Sequence, residues 1–168
     1  MKHTMMAILA CVLAVSAIAA QQQEGQQPQQ ESSAAMLKQF TRSMDVDGMM
    51  MSFVYLNDRT VDVLFQPPGK YSLRAQAKMA TLLYVQATPD KDGKLDTRFY
   101  LEQDGETTEG VAHNIKHFQS GAVAKGERID GILRFERKLD LTHQFTIKSS
   151  KSSLKFKLSE EALKLMGQ

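Results

Sequence analysis

Residues 79–88, MATLLYVQAT, and residues 95–103, LDTRFYLEQ, decide the reading of this chain. The first run is rich in β-branched and aromatic residues and carries apolar side chains on both alternating faces, the pattern of a central strand buried on both sides. The second alternates, with Leu95, Thr97, Phe99 and Leu101 on one face and Asp96, Arg98, Tyr100 and Glu102 on the other. Pro89-Asp90-Lys91-Asp92-Gly93 lies between them and supplies turn chemistry, so the two runs are expected to pair as a hairpin.

Short strands continue on either side. Residues 49–56, MMMSFVYL, end in aromatic and β-branched side chains and read as a strand. Asn57-Asp58-Arg59 then turns the chain into residues 60–66, TVDVLFQ, where Val61, Val63 and Phe65 share a strand face and Pro67-Pro68-Gly69 stops it. Residues 71–75 add a further short strand. Asp104-Gly105 is the strongest two-residue hairpin signal, followed by a weaker strand over 106–115. Residues 116–126 read as a loop or crossover. Residues 128–137 place Ile129, Leu133 and Phe135 on one face, and residues 139–148 carry Leu141, Phe145 and Ile147 at one parity. A serine and lysine turn over 149–153 leads to a last strand, with Leu154, Phe156 and Leu158 inward and Lys155 and Lys157 outward, an arrangement that discourages edge-to-edge pairing.

Helices are expected only at the ends. Met36, Leu37 and Phe40 have helical spacing within residues 33–43, and Ser159 can cap a terminal helix that carries Glu160 and Glu161 at its positive end. Seven to nine short strands at intervals of about ten residues predict a mainly β fold, an antiparallel β-sandwich of immunoglobulin-like general architecture or an open barrel. The cysteine pair and tryptophan of a true immunoglobulin domain are missing from the sequence.

The chain has 168 residues, of which the first twenty, MKHTMMAILACVLAVSAIAA, have the parts of a secretory signal. Lys2 gives a positive start, the apolar run from Met5 to Ile18 is short for a membrane span, and Ala17-Ile18-Ala19 is a small-x-small cleavage site. Cys11, the only cysteine, follows an Ile-Leu-Ala box like that of bacterial lipoproteins, but the apolar core runs on through Val15, so it reads as part of the signal. Residues 21–33, QQQEGQQPQQESS, hold too little apolar surface to offset the entropy of ordering them and are expected to be a disordered linker. Residues 34–168 remain as one domain.

A mature chain without thiols and without an Asn-x-Ser/Thr acceptor fits a bacterial envelope better than a eukaryotic secretory route. The expected location is therefore periplasmic or extracellular. The net charge of +2 falls by one with Lys2, which, without a basic and aromatic cluster, gives no reason to expect nucleic acid as a partner. No membrane-spanning helix is expected once the leader is gone.

Candidate chemistry is sparse. His113 and His117 are four apart, and Met44, Met49, Met50 and Met51 fall within eight residues. Thioethers suit Cu(I) and imidazoles suit zinc, so Met49, Met51, His113 and His117 form a candidate metal set, with His143 or Glu109 as a further ligand. The competing reading of Met49 and Met51 is a core stripe continued by Phe53 and Tyr55. Asp45-Val46-Asp47-Gly48 and Asp90-Lys91-Asp92-Gly93 resemble the middle of calcium loops, but Phe99 stands where the second would need its bidentate glutamate, and turn formation accounts for both. No nucleophile elbow, phosphate-cradling glycine loop or mature cysteine nucleophile is present. The expectation is a non-enzymatic binding or interaction module without a cofactor, whose partner is another envelope protein or envelope component. Two alternatives stand beside it: a periplasmic copper- or zinc-handling protein, and a hydrolase acting on glycan through two carboxylates.

Overall fold

The described residues of the computed structural model are 27–113 and 117–167. The expected leader with Cys11, residues 21–26 of the Gln-rich stretch, residues 114–116 and residue 168 lie outside them. The chain divides into two units between residues 35 and 36. In the first, residues 27–35 begin helix α1 (Gln27–Gln39). The second holds eleven short strands and three further helices among the described residues.

Helix α1 therefore takes in the second half of the stretch expected to be a linker and ends four residues earlier than the spacing of Met36, Leu37 and Phe40 suggests. Glutamine and alanine lose little side-chain freedom in a helix, and Pro28 is tolerated in the first turn. At the other end the Thr41 hydroxyl donates to the Leu37 carbonyl at 2.7 Å. From there the chain is a strand, β1 (Thr41–Val46), joined to β2 (Met49–Tyr55) through Asp47-Gly48. Both turn residues have positive φ, 55° and 82°, the geometry of the two-residue hairpin turn that Asp-Gly favours.

All pairings are antiparallel and form three sheets that do not close into a barrel, in a mainly β molecule. The five-stranded sheet runs β1-β2-β3-β9-β7, with β3 (Thr81–Ala87) at its centre between β2 and β9 (Ile129–Phe135), and β7 (Val111–His113) at its far edge. The four-stranded sheet runs β11-β10-β5-β6, from β5 (Tyr100–Gln103), β6 (Glu106–Glu109), β10 (Phe145–Lys148) and β11 (Ser153–Phe156). The third pairs β4 (Gly93–Leu95) with β8 (Gly121–Val123).

The double burial expected of residues 79–88 is found in β3, but the hairpin expected with residues 95–103 is not. Residues 95–103 are split between the small sheet and the four-stranded one, and β9 takes the place beside β3. The alternation survives in part: Leu95, Phe99 and Leu101 are buried as expected, with Gln103 beyond them, while Thr97 of the same face is half-buried. The strand expected over 106–115 is also two strands, in different sheets, hinged at Gly110. A Cβ there would lie 2.7 Å from Phe135 Cε1, and the Gly110 amide donates to the Phe99 carbonyl at 2.7 Å. Of residues 139–148 only the last four are a strand, although Leu139 and Leu141 are buried in the turn before it.

Residues 60–66 and 71–75, expected as strands, are helical. The connection from β2 to β3 is α2 (Asp58–Leu64) followed by α3 (Gly69–Met79), separated at Pro67-Pro68. Asn57 starts α2 with a capping box: its Oδ1 accepts from the Arg59 and Thr60 amides, while the Thr60 hydroxyl accepts from the Asn57 amide at 2.8 Å. The spacing of four between Val61 and Phe65, and between Leu73 and Ala77, suits one helix face. Phe65 meets Tyr84 of β3 edge to face at 5.3 Å.

The other face of the five-stranded sheet carries Met51, Phe53, Leu83, Val85, Leu133 and Phe135, all fully buried. Phe53 packs edge to face on Phe99, and Phe99 stacks on Phe118. In the four-stranded sheet Phe145 stacks on Phe156 at 4.8 Å. Each such aromatic contributes about 1.5–3 kcal/mol by leaving water. The outer edge of β11 meets β1, where Arg42 donates to the Lys157 carbonyl at 2.9 Å and lies over the Phe156 ring. The terminal helix α4 (Glu160–Leu165) is capped as expected, the Ser159 hydroxyl accepting from the Ala162 amide. Among the described residues no helix is long and apolar enough to cross a membrane.

Candidate ligand-binding cleft

The residues with candidate metal chemistry are scattered. Met44 pairs across from Met51 and Val46 from Met49, so Met44, Met49 and Met51 face the core and are buried, while Met50 is exposed on the opposite face. His113 ends β7, the far edge of the same sheet. With β3 and β9 between them, β2 and β7 are about 14 Å apart at the usual strand spacing. His117 is exposed beyond residues 114–116. His143 is exposed, its Nδ1 3.8 Å from the Asp140 carboxylate and 3.9 Å from that of Asp104. Among the described residues no three His, Cys, Asp or Glu side chains are grouped to hold a metal ion. Three of the four carboxylates in the acidic turns are taken up by protein donors: Asp45 accepts from the Gly48 amide, Asp47 from the Lys151 ammonium and Asp92 from the Lys125 amide, each at 2.8 Å.

A cleft of about 590 Å³ lies where β2, α2, α3, the segment after β9 and the end of α4 converge. Its size falls within the span typical of small-molecule sites, roughly 300–1,000 Å³. Tyr55, Leu56, Ala77, Leu165 and Met166 give it an apolar lining, and Arg59, Lys78, Lys138 and Lys164 ring it with cations against one carboxylate, Asp58.

Each wall is held by the backbone around it. The Tyr55 amide donates to the Phe40 carbonyl and the Leu56 amide to the Leu82 carbonyl, which fixes the end of β2, and the Asn57 box then directs Asp58 and Arg59 along the first turn of α2. Lys138 follows Arg137, whose carbonyl accepts from both the amide and the hydroxyl of Thr81. Its ammonium donates to the Ala77 carbonyl, one of the groups that the end of α3 leaves without a helical partner. Burial of that ammonium pushes its pKa below the usual lysine value, with Asp58 opposing the shift.

One polar group of the cleft residues is left over. Asn57 has Oδ1 occupied and Nδ2 buried without a partner. Burial pushes the Tyr55 phenol up to about 12. Arg59, Lys78 and Lys164 make no ion pair among the described residues, so the cleft holds a surplus of donors over acceptors.

None of these cation positions is marked in the sequence. Arg59, Lys78, Lys138 and Lys164 lie on four separate segments, each ordinary in its own surroundings, and only the fold brings them together. Asn57 and Arg59 read locally as turn residues, and the one local signal of their setting is Asn57 three residues before Thr60. Searches against protein-family models, curated proteins and solved structures match nothing to this chain.

Proposed function

We propose that the protein is an exported, non-enzymatic binding module of the bacterial envelope, and that it holds an envelope component, or a group borne by another envelope protein, in the cleft beside Tyr55 and Lys138. The observation that carries this reading is the cleft itself, an apolar lining ringed by cations that lack ion-pair partners among the described residues. The leader-like residues 1–20 support the exported location. We also read the two larger sheets as the layers of an open sandwich, supported by the contact of Phe53, on the five-stranded sheet, with Phe99, next to β5.

Expression of the full chain in a bacterium, followed by fractionation and native mass spectrometry of the envelope product, tests the reading. A processed chain carrying a small-molecule or covalent-group adduct, lost when Met166→Trp fills the cleft, is the expected result. A chain that stays in the cytosol with its leader, or an exported chain without any adduct, overturns it.

A further inference from the structure

We propose that the cleft selects an anionic amphiphile, its phosphate head among Arg59, Lys78, Lys138 and Lys164 and its apolar body over Leu165 and Met166. This rests on the cleft being the binding site and adds the chemical class of what it holds.

The charges decide the head. Lys78 and Lys164 sit in the last turns of α3 and α4, where a cation offsets the exposed carbonyl ends of the helix. That accounts for two of the four. Arg59 has the opposite placement, a cation in the first turn of α2, where the helix dipole disfavours it. Lys138 has its ammonium at the cleft with a neutral carbonyl as its hydrogen-bond partner, and Asp58 forms no ion pair with it among the described residues. An anion in the cleft would face four cations and one carboxylate. Three ammonium groups and a guanidinium lining one cleft favour a phosphate, which offers more acceptor oxygens and more charge than a single carboxylate.

The lining decides the body. Tyr55, Leu56 and Ala77 are buried in the wall, and Leu165 and Met166 are half-buried at the mouth. A free phosphate would leave the exposed parts of Leu165 and Met166 in water, whereas an alkyl phosphate covers them.

Isothermal titration of the leader-free product with dodecyl phosphate below micelle formation, inorganic phosphate and dodecyltrimethylammonium tests both halves. Dodecyl phosphate is expected to bind at least tenfold more tightly than either of the others. Lys138→Met and Lys164→Gln should each weaken it several-fold. Lys164 is exposed on α4, so its variant keeps the test open if Lys138→Met fails to fold. Co-sedimentation with vesicles of phosphatidic acid in phosphatidylcholine would identify a membrane head as the source; binding of the monomer alone would identify a soluble amphiphile, and either supports the proposal. Equal binding of the cationic surfactant, equal binding of inorganic phosphate, or indifference to both lysine variants overturns it. An uncharged adduct on the envelope product together with flat dodecyl phosphate titrations would leave the binding cleft standing and remove its choice of anion.

Discussion

Gln103 holds Asp140 by both of its backbone polar groups: Nε2 donates to the Asp140 carbonyl at 2.7 Å, and Oε1 accepts from the Asp140 amide at 3.0 Å. The side chain stands in for a strand neighbour, pinning the turn before β10 to the end of β5. Gln103 is buried, so its amide is satisfied only while this turn is in place. Gln103→Leu is expected to destabilise the fold by about 1–3 kcal/mol, because it withdraws both partners and keeps the volume. Urea unfolding monitored by circular dichroism measures it; an unchanged midpoint would show that the turn is held by Leu139 and Leu141 alone.

Gly131 lies directly beneath Phe118. A Cβ at Gly131 would stand 2.3 Å from the Phe118 Cβ, which no small adjustment relieves. Gly131→Ala should therefore destabilise by about 1–3 kcal/mol or more through overpacking. Phe118→Ala alone should lose about 3–5 kcal/mol, and because alanine keeps the Cβ that meets Gly131, only Phe118→Gly should make Gly131→Ala nearly harmless, giving a clear coupling energy in a double-mutant cycle. Additive losses would place the two residues apart.

How far the sequence revealed this fold depends on which contacts were local. The strand at β3, the Asp104-Gly105 turn, the inward Phe156 and the Ser159 cap were legible because each is set by neighbours a few residues away. Val61, Val63 and Phe65 misled because their alternation fits a strand as well as a helix seven residues long. Val61 is fully buried while Val63 is exposed, which only helical spacing produces here. The partner of β3 was misread for a different reason: residues 95–103 alternate correctly, but alternation says which face is buried and not which strand lies alongside. The cleft was invisible, since its cations come from segments that meet only in the folded chain.

Asn57 can be separated into its two roles. Asn57→Ala removes the Oδ1 that caps the Arg59 and Thr60 amides and should cost about 1 kcal/mol. Asn57→Ser keeps a capping oxygen and deletes the buried Nδ2 that lacks a partner, so its stability should stay within about 0.5 kcal/mol of the parent. If the amide nitrogen also serves the cleft, the serine variant will unfold like the parent yet bind dodecyl phosphate more weakly. Equal losses of stability in both variants would show that the cap is not what Asn57 contributes.

Tyr55 sets a pH dependence whose sign follows from its burial. The phenol is pushed up to about 12, against an ordinary value of 10.0. As pH rises past about 10 the unfolded chain gives up this proton while the folded chain keeps it, so the contribution is complete below pH 10 and is lost as pH climbs toward 12. Two pKa units correspond to about 2–3 kcal/mol. Other tyrosines and the lysines titrate in the same window, and comparison with Tyr55→Phe cancels them. The Tyr55 hydroxyl makes no hydrogen bond among the described residues, so the phenylalanine variant should match the parent within about 0.5 kcal/mol near neutral pH. By about pH 11 it should be the more stable of the two, as read from urea midpoints. Parallel losses in the two proteins would show that the phenol reaches water, on the cleft side of β2.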